Sequence, residues 1–218
     1  MARSDLAIII PALNEEESIE NIVVSCSKYG DVIVVNDGSV DKTGYVAMKS
    51  GAFVLNHVIK RGYDEALNTG FAFAFNNKYS FLISIDADGQ HDPSYIPSFV
   101  KRLNSGFDIV IGKRQTQARF SEYLFSYYTK YFWDISDPLS GLKGYKSTVY
   151  KSLGHFDSYQ SIGTELLLFA LKKGYKIGEM EIKVKLRKGN PRFGSLIKSN
   201  LRIIKSLLSA FFKNYNYL

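Results

Sequence analysis

Apolar residues fall in short unbroken runs in the first half of the chain. Leu6–Ile10, Asp31–Asn36, Ala52–Leu55, Phe81–Ile85 and Phe107–Ile111 read as strands. A run without polar alternation predicts a strand buried on both faces, as in a parallel sheet. Between the runs lie helical stretches at Glu15–Ser27, Asp41–Lys49, Tyr63–Asn77 and Ser94–Leu103. The first of these opens with acids, which complement the helix dipole. Alternating strands and helices predict a doubly wound α/β domain that binds ligands at the carboxyl ends of its strands.

After residue 112 the pattern changes. Ala118–Trp133 holds eight aromatics: Phe120, Tyr123, Phe125, Tyr127, Tyr128, Tyr131, Phe132 and Trp133. They suit an acceptor groove or a headgroup-level belt, and equally a core and a homodimer surface. Asp137–Gly141 reads as a turn, Ile162–Lys173 as a helix, and Lys176–Leu186 as a strand. Phe193–Lys213 predicts a helix with Leu196, Ile197, Ile203, Ile204, Leu207, Leu208 and Phe211 on one face. Lys198, Arg202 and Lys205 lie on the other. That composition fits an interfacial helix or a core-facing surface helix. The division expected is a domain over 1–192, with halves 1–112 and 113–192, followed by a basic helix over 193–218.

At 218 residues and 45% hydrophobic content the chain can fill one large core. A single cysteine, Cys26, excludes an internal disulfide and suits a reducing compartment. The three histidines are scattered, so a zinc site is not expected. No stretch approaches the roughly 18 apolar residues of a spanning helix, and no leader is read at the start.

Charge is divided along the chain. Residues 1–112 carry 9 Lys/Arg and 14 Asp/Glu, a net of −5, while residues 113–218 carry 19 and 7, a net of +12. Nine basic residues and no acid follow Glu181. Such a block meets anions: a membrane surface, nucleic acid or a phosphorylated substrate. A solvated basic tail is the plain alternative.

Three polar clusters end the first strands: Pro11–Glu15, Asn36–Ser39 and Asp86-Ala87-Asp88-Gly89-Gln90-His91. In an extension of the strand, Asp86, Asp88 and Gln90 point the same way. Three oxygen donors can hold Mg²⁺ or Mn²⁺, which then shares its shell with substrate phosphates. The segment also reads as an ordinary turn capped by Ser94. G-x-G-x-x-G and G-x-x-x-x-G-K-[ST] are both absent, which disfavours a dinucleotide oxidoreductase or a P-loop enzyme. A sugar-nucleotidyltransferase is disfavoured because Pro11–Glu17 holds neither glycine nor a basic residue. A nucleic-acid-binding module would explain the basic half but has no use for the Asp86 cluster, so nucleic acid is not an expected partner.

In order along the chain, Ile9–Glu15, Val34–Ser39, Arg61–Gly70, Asp86–Pro93, Gly112–Arg114, Asp137–Gly141, Glu165 and Arg187–Ser195 resemble the family 2 glycosyltransferases of GT-A fold. Within that family the chain is most similar to the dolichyl- and polyprenyl-phosphate sugar synthases. The resemblance implies a Rossmann-like, mostly parallel sheet with helices on both faces. It implies an inverting transfer from a nucleotide-diphosphate sugar to a polyprenyl phosphate, peripheral on the cytoplasmic face of a membrane and attached to anionic lipid. A glycan hydroxyl in capsule or cell-wall assembly is the other acceptor. By the same resemblance Pro11, Ala12, Asn14 and Glu15 wall the nucleoside, and Asp37 meets the base or ribose. Arg61 and Ala87 line the donor, and Asp86, Asp88 and Gln90 take the metal. Arg114 and Arg187 meet the diphosphate or acceptor phosphate. A hydroxyl acceptor needs a base, for which Asp137 and Glu165 are the candidates, with structural roles as the alternative. Asn36 stands where many relatives have a first Asp, which leaves the nucleotide base open.

Overall fold

Leu6–Ala12 forms strand β1, and all seven of its residues are buried. This is seen in a computed structural model that describes residues 4–115, 120–185, 200–201 and 203–208. The other strands are β2 (Asp31–Asn36), β3 (Phe53–Asn56), β4 (Phe81–Ser84), β5 (Ile109–Arg114), β6 (Lys143–Lys146) and β7 (Ile177–Ile182). They make one sheet in the order β3-β2-β1-β4-β6-β5-β7. β1 pairs in parallel with β2 and β4, with Ile8 opposite both Val32 and Ile83. β6 alone runs antiparallel to its neighbours, β4 and β5.

Alternation along the strands feeds two cores, as the pleat requires. Ala7, Ile9 and Ile33 face one layer with Leu67, Phe71, Phe156 and Leu166. Ile8, Ile10, Val32 and Val34 face the other with Ile19, Val23 and Phe99. The helices are α1 (Ile19–Cys26), α2 (Thr43–Lys49), α3 (Tyr63–Asn76), α4 (Ile96–Asn104), α5 (Phe120–Trp133), α6 (Ser147–Leu153) and α7 (Glu165–Lys172). α3 presses close on β1: a Cβ at Gly70 would stand 2.4 Å from Ile9 Cγ2. Phe71 beside it is fully buried in a ring cluster with Tyr145 and Phe156. Replacing such a phenylalanine by alanine costs about 3–5 kcal/mol.

Two differences from the sequence reading have physical causes. α1 begins at Ile19, not Glu15, because the preceding residues bind the next loop. Glu15 N donates to Thr43 Oγ1 at 2.7 Å, and Lys42 N donates to Glu16 Oε2 at 3.0 Å. β6 was unforeseen because Lys-Gly-Tyr-Lys carries no apolar run; it is buried by Phe99 and Leu103, which lie against Gly144. The described part of the C-terminal helix follows the core-facing of its two expected readings. Residues 200–201 and 203–208 are helical, and Ile203 joins the core. Ser206 Oγ donates to Ser161 O at 2.9 Å, so this stretch packs on the domain. The expected division at 192 and the rest of that helix lie outside the described residues. Among the described residues no helix is long and apolar enough to cross a membrane.

Candidate functional site

The parallel strands end on one edge of the sheet, and the reversed strand β6 begins there. Six polar segments therefore converge: those after β1, β2, β4, β5 and β7, and the 137–143 segment that leads into β6.

The first two segments are laced together. Pro11 lies beyond the last β1–β4 pair, where a missing N–H does least harm. Ala12 beside it is buried. Asn14 adopts a left-handed φ of 51°. Its N–H donates to Ser39 Oγ at 2.9 Å, and its Oδ1 accepts from Val40 N at 2.9 Å. Glu15 accepts from Ser18 Oγ. Asp37 is 3% exposed and acts as a clasp for residues 57–62. Oδ1 takes Arg61 N at 2.8 Å and His57 Nδ1 at 2.7 Å, and Oδ2 takes Gly62 N at 2.7 Å. Both oxygens are thus engaged by protein donors. The Arg61 side chain extends to the surface, 3.8 Å from Glu65.

The third segment departs from the expected extension. β4 ends at Ser84, and residues 87–89 turn, with Gly89 at φ 74°. Period-two alternation therefore does not align Asp86, Asp88 and Gln90; the turn relates them. Asp88 Oδ1 accepts from Gln90 N at 3.1 Å, and the Ala87 methyl between the two acids is buried. Gln90 Nε2 donates to Lys185 O at 3.2 Å, so its amide oxygen is the end that could face a cation. A His91–Val184 bridge fastens this turn to the chain after β7. Asp86 accepts from Tyr63 Oη at 3.1 Å and lies 3.7 Å from His91 Nε2. Burial opposes ionisation of Asp86, but His91, Tyr63 and Lys143 together hold its carboxyl below the usual range. A Cβ at Gly141 would fall 2.0 Å from Asp86 Oδ2, so a side chain there would displace the Asp86 carboxylate.

Asp86 and Asp88 are hard oxygen donors, and Asp88 is oriented by its own turn. Among the described residues no three of His, Cys, Asp and Glu gather into a cage. A sparse carboxylate set of this kind fits Mg²⁺ or Mn²⁺ with phosphates completing the shell.

Past β5, Arg114 and Asp137 form a bidentate pair. Arg114 Nε reaches Asp137 Oδ2 at 2.7 Å, Nη2 reaches Oδ1 at 2.8 Å, and Nη2 also reaches Glu122 Oε2 at 3.2 Å. Burial works against the guanidinium charge, and Asp137 and Glu122 restore it. Asp137 is 1% exposed, and its N–H donates to Glu179 Oε1. Both of its oxygens are held by a permanent cation, an arrangement that disfavours use as a base. Glu165 is fully buried at the start of α7, where Ser158 and His155 donate to it. It belongs to the 155–165 loop, and acting as a base would need those bonds broken. Arg187 lies outside the described residues.

One cation was missed. Lys143 is 4% exposed at the start of β6, and Nζ donates to Gly163 O at 3.2 Å. Burial pushes its ammonium down to about 8 against the pull of Asp137 and Asp86. Nothing in the pattern Lys-Gly-Tyr-Lys signals this burial. Tyr63 and His91 were inside the quoted motifs without an assigned role. Beside Arg114 opens a groove of about 390 Å³ lined by Lys113, Tyr123, Tyr127 and Lys130 among others.

Known proteins resemble this chain in sequence and in fold. The sequence model of glycosyl transferase family 2 matches residues 7–153. An uncharacterized protein of Methanocaldococcus jannaschii is 30% identical, over 94% of this chain and 92% of its own. A dolichyl-phosphate hexose transferase of Haloferax volcanii is 25% identical over 86% of each chain. A UDP-N-acetylglucosamine–dolichyl-phosphate N-acetylglucosaminyltransferase of Methanococcus voltae is 26% identical, over 95% of this chain and 96% of its own. Among solved structures, glucosyl-3-phosphoglycerate synthase from Mycobacterium tuberculosis, in complex with Mn²⁺, uridine diphosphate and phosphoglyceric acid, superposes with a TM-score of 0.79. It is 23% identical, with 99% of this chain and 81% of that one covered, a likeness of fold. The sheet order, the Asp86 turn and these matches agree: the fold is GT-A, and the chain belongs to glycosyl transferase family 2.

Proposed function

We propose that this chain transfers a sugar from a nucleotide-diphosphate sugar to a polyprenyl phosphate, with inversion at the anomeric carbon. The observation that carries the choice of acceptor is the state of the two candidate bases. Asp137 is held by Arg114 and Glu165 by Ser158 and His155. A hydroxyl acceptor needs its proton removed; a phosphate oxygen is already anionic and needs no base. The dolichyl-phosphate relatives support the same acceptor class.

In this reading the nucleoside lies over Pro11–Glu15 and the loop that Asp37 clasps. Asp86, Asp88 and Gln90 would hold Mg²⁺ or Mn²⁺, which would supply Lewis-acid neutralisation of the leaving diphosphate. Tyr63 and His91 fix Asp86, so the site is set before substrate arrives. Arg114 is aimed by Asp137 and Glu122 and meets the acceptor phosphate at the groove. Direct attack by that oxygen opposite the departing diphosphate inverts the configuration. Work at the cytoplasmic membrane face follows from a lipid acceptor and a soluble donor.

The test is transfer from a panel of nucleotide sugars to a short-chain polyprenyl phosphate, with Mn²⁺ and with chelator. A lipid-linked product that disappears with chelator is expected. Product formed only on saccharide hydroxyls would overturn the acceptor assignment.

A further inference from the structure

Lys143 stands beneath the Asp86 turn and has no part in the transfer proposed above. It opens β6, paired with Ser84 of β4 on one side and with Ile111 of β5 on the other. Side chains of directly paired residues point to the same face of the sheet. Asp86 lies two residues beyond Ser84, at most about 7 Å along the chain. The register of the sheet therefore brings a lysine side chain to the floor of the candidate metal site.

The ammonium is fixed there. Nζ donates to Gly163 O at 3.2 Å, a neutral acceptor, and the residue is 4% exposed. Gly163 is itself held. Its N–H donates to Asp64 Oδ1 at 2.7 Å, and a Cβ on it would lie 3.3 Å from the Tyr63 ring. Tyr63 Oη donates in turn to Asp86 Oδ1. Lys143, Gly163, Tyr63 and Asp86 thus form one packed circuit. Burial opposes the ammonium charge, and Asp137, Asp86 and Asp64 support it.

The two charges differ in access. Asp86 keeps 31% of its side-chain surface open, while Lys143 is nearly closed off. A cation that reaches Asp86 from solvent meets a carboxylate with an ammonium fixed behind it. Like charges repel more strongly away from water than in it. The oxygen set is also sparse, two acids and one amide, so little remains to offset that repulsion. A nucleoside diphosphate carries negative charge of its own. A dication held by it no longer arrives with net positive charge, and the repulsion falls away.

We propose that Lys143 sets the order of loading: its ammonium disfavours the free divalent cation at Asp86 and Asp88 and admits the cation as its complex with a nucleoside diphosphate. The proposal rests on the metal reading of the Asp86 turn given above.

The experiment measures Mn²⁺ affinity of the chelator-stripped full chain at pH 7 by paramagnetic resonance, for wild type, Lys143→Met and Lys143→Arg. Lys143→Met should bind Mn²⁺ alone about ten-fold more tightly than wild type, and Lys143→Arg no more tightly. When Mn²⁺ is supplied with uridine diphosphate or guanosine diphosphate, the difference should shrink below about three-fold. A lysine that only supports the fold predicts the opposite sign, because a slackened Asp86 binds metal more weakly. Equal or weaker Mn²⁺ binding by Lys143→Met, including no binding by either protein, overturns the proposal. A gain that both diphosphates leave undiminished overturns it as well. Asp88→Ala, added to Lys143→Met, separates the two readings. Tight Mn²⁺ binding that survives it lies elsewhere, and the metal reading falls together with the proposal. If nucleotide binding needs both Mn²⁺ and Asp88 while Lys143→Met gains nothing, the metal reading stands and the role of Lys143 falls.

Discussion

Arg114 and Asp137 face each other through two nearly parallel N–H···O bonds of 2.7 and 2.8 Å, 23 residues apart in the chain. Asp137 is therefore a positioning residue for Arg114. Asp137→Asn should lower stability by about 2 kcal/mol, the worth of a charge-assisted hydrogen bond. It should raise KM for the acceptor and leave the shape of the kcat–pH profile unchanged. A fall in kcat of about 10⁴ with KM intact would return Asp137 to the role of base.

Asp88→Ala should remain folded and lose metal-dependent nucleotide binding. At 100 times Kd a bound nucleotide adds about 2.7 kcal/mol of stability, visible as a thermal shift. The variant should show no difference between Mn²⁺ and chelator. A full shift in the variant would place the metal elsewhere.

Gly141→Ala places a methyl group against Asp86 Oδ2, 2.0 Å away before relaxation. Asp86 must move, and a displacement near 1 Å at a reacting centre can lower turnover about 10²-fold. Urea unfolding should change far less than turnover. Unaltered turnover would mean that the position of Asp86 does not matter.

Lys143 has a pH signature of known sign. Its folded pKa, about 8, lies below the ordinary lysine value of 10.5. Between these values the unfolded chain holds more protons, so this group's contribution to stability rises as pH increases. Below pH 8 its burial is a penalty of about 3 kcal/mol. Lys143→Met, measured in chelator by denaturant titration from pH 7 to 10.5, should lack that rise. The difference between wild type and variant isolates this contribution from those of all other groups. Identical pH dependence in both proteins would show that Lys143 is hydrated.

Asp37→Ala should release the 57–62 loop. It leaves Arg61 N, Gly62 N and His57 without their acceptor, at about 1–3 kcal/mol for each donor that stays buried. Donor KM should rise while Asp88-dependent metal binding persists. Unchanged stability would remove the clasp role.

What could be read in advance follows from how local each signal is. β1, β2 and β4 announce themselves because both of their faces are buried, so their central positions are all apolar. The Asp86 cluster is legible because its residues are consecutive and follow such a strand. Its geometry was misjudged because a turn, not an extension, follows Ser84. β6 was invisible because its burial comes from Phe99 and Leu103, some 40 residues earlier. The same distance hides Lys143. Aromatic content in α5 was plain, but not which face the rings take, since that depends on Arg114 and Asn200 drawing its polar residues inward.

Asp86 touches both halves of the protein at once. Tyr63 of α3 holds one of its oxygens, and Gly141 of the 137–141 turn lies against the other. That turn cannot shift without disturbing Asp86, nor Asp86 without disturbing the turn. On the proposed reading, with donor on the Tyr63 side and acceptor on the 137–141 side, the two occupancies would be linked thermodynamically. Whatever factor one ligand adds to the affinity of the other is returned in equal measure, so neither substrate's dissociation constant is a property of its own subsite alone.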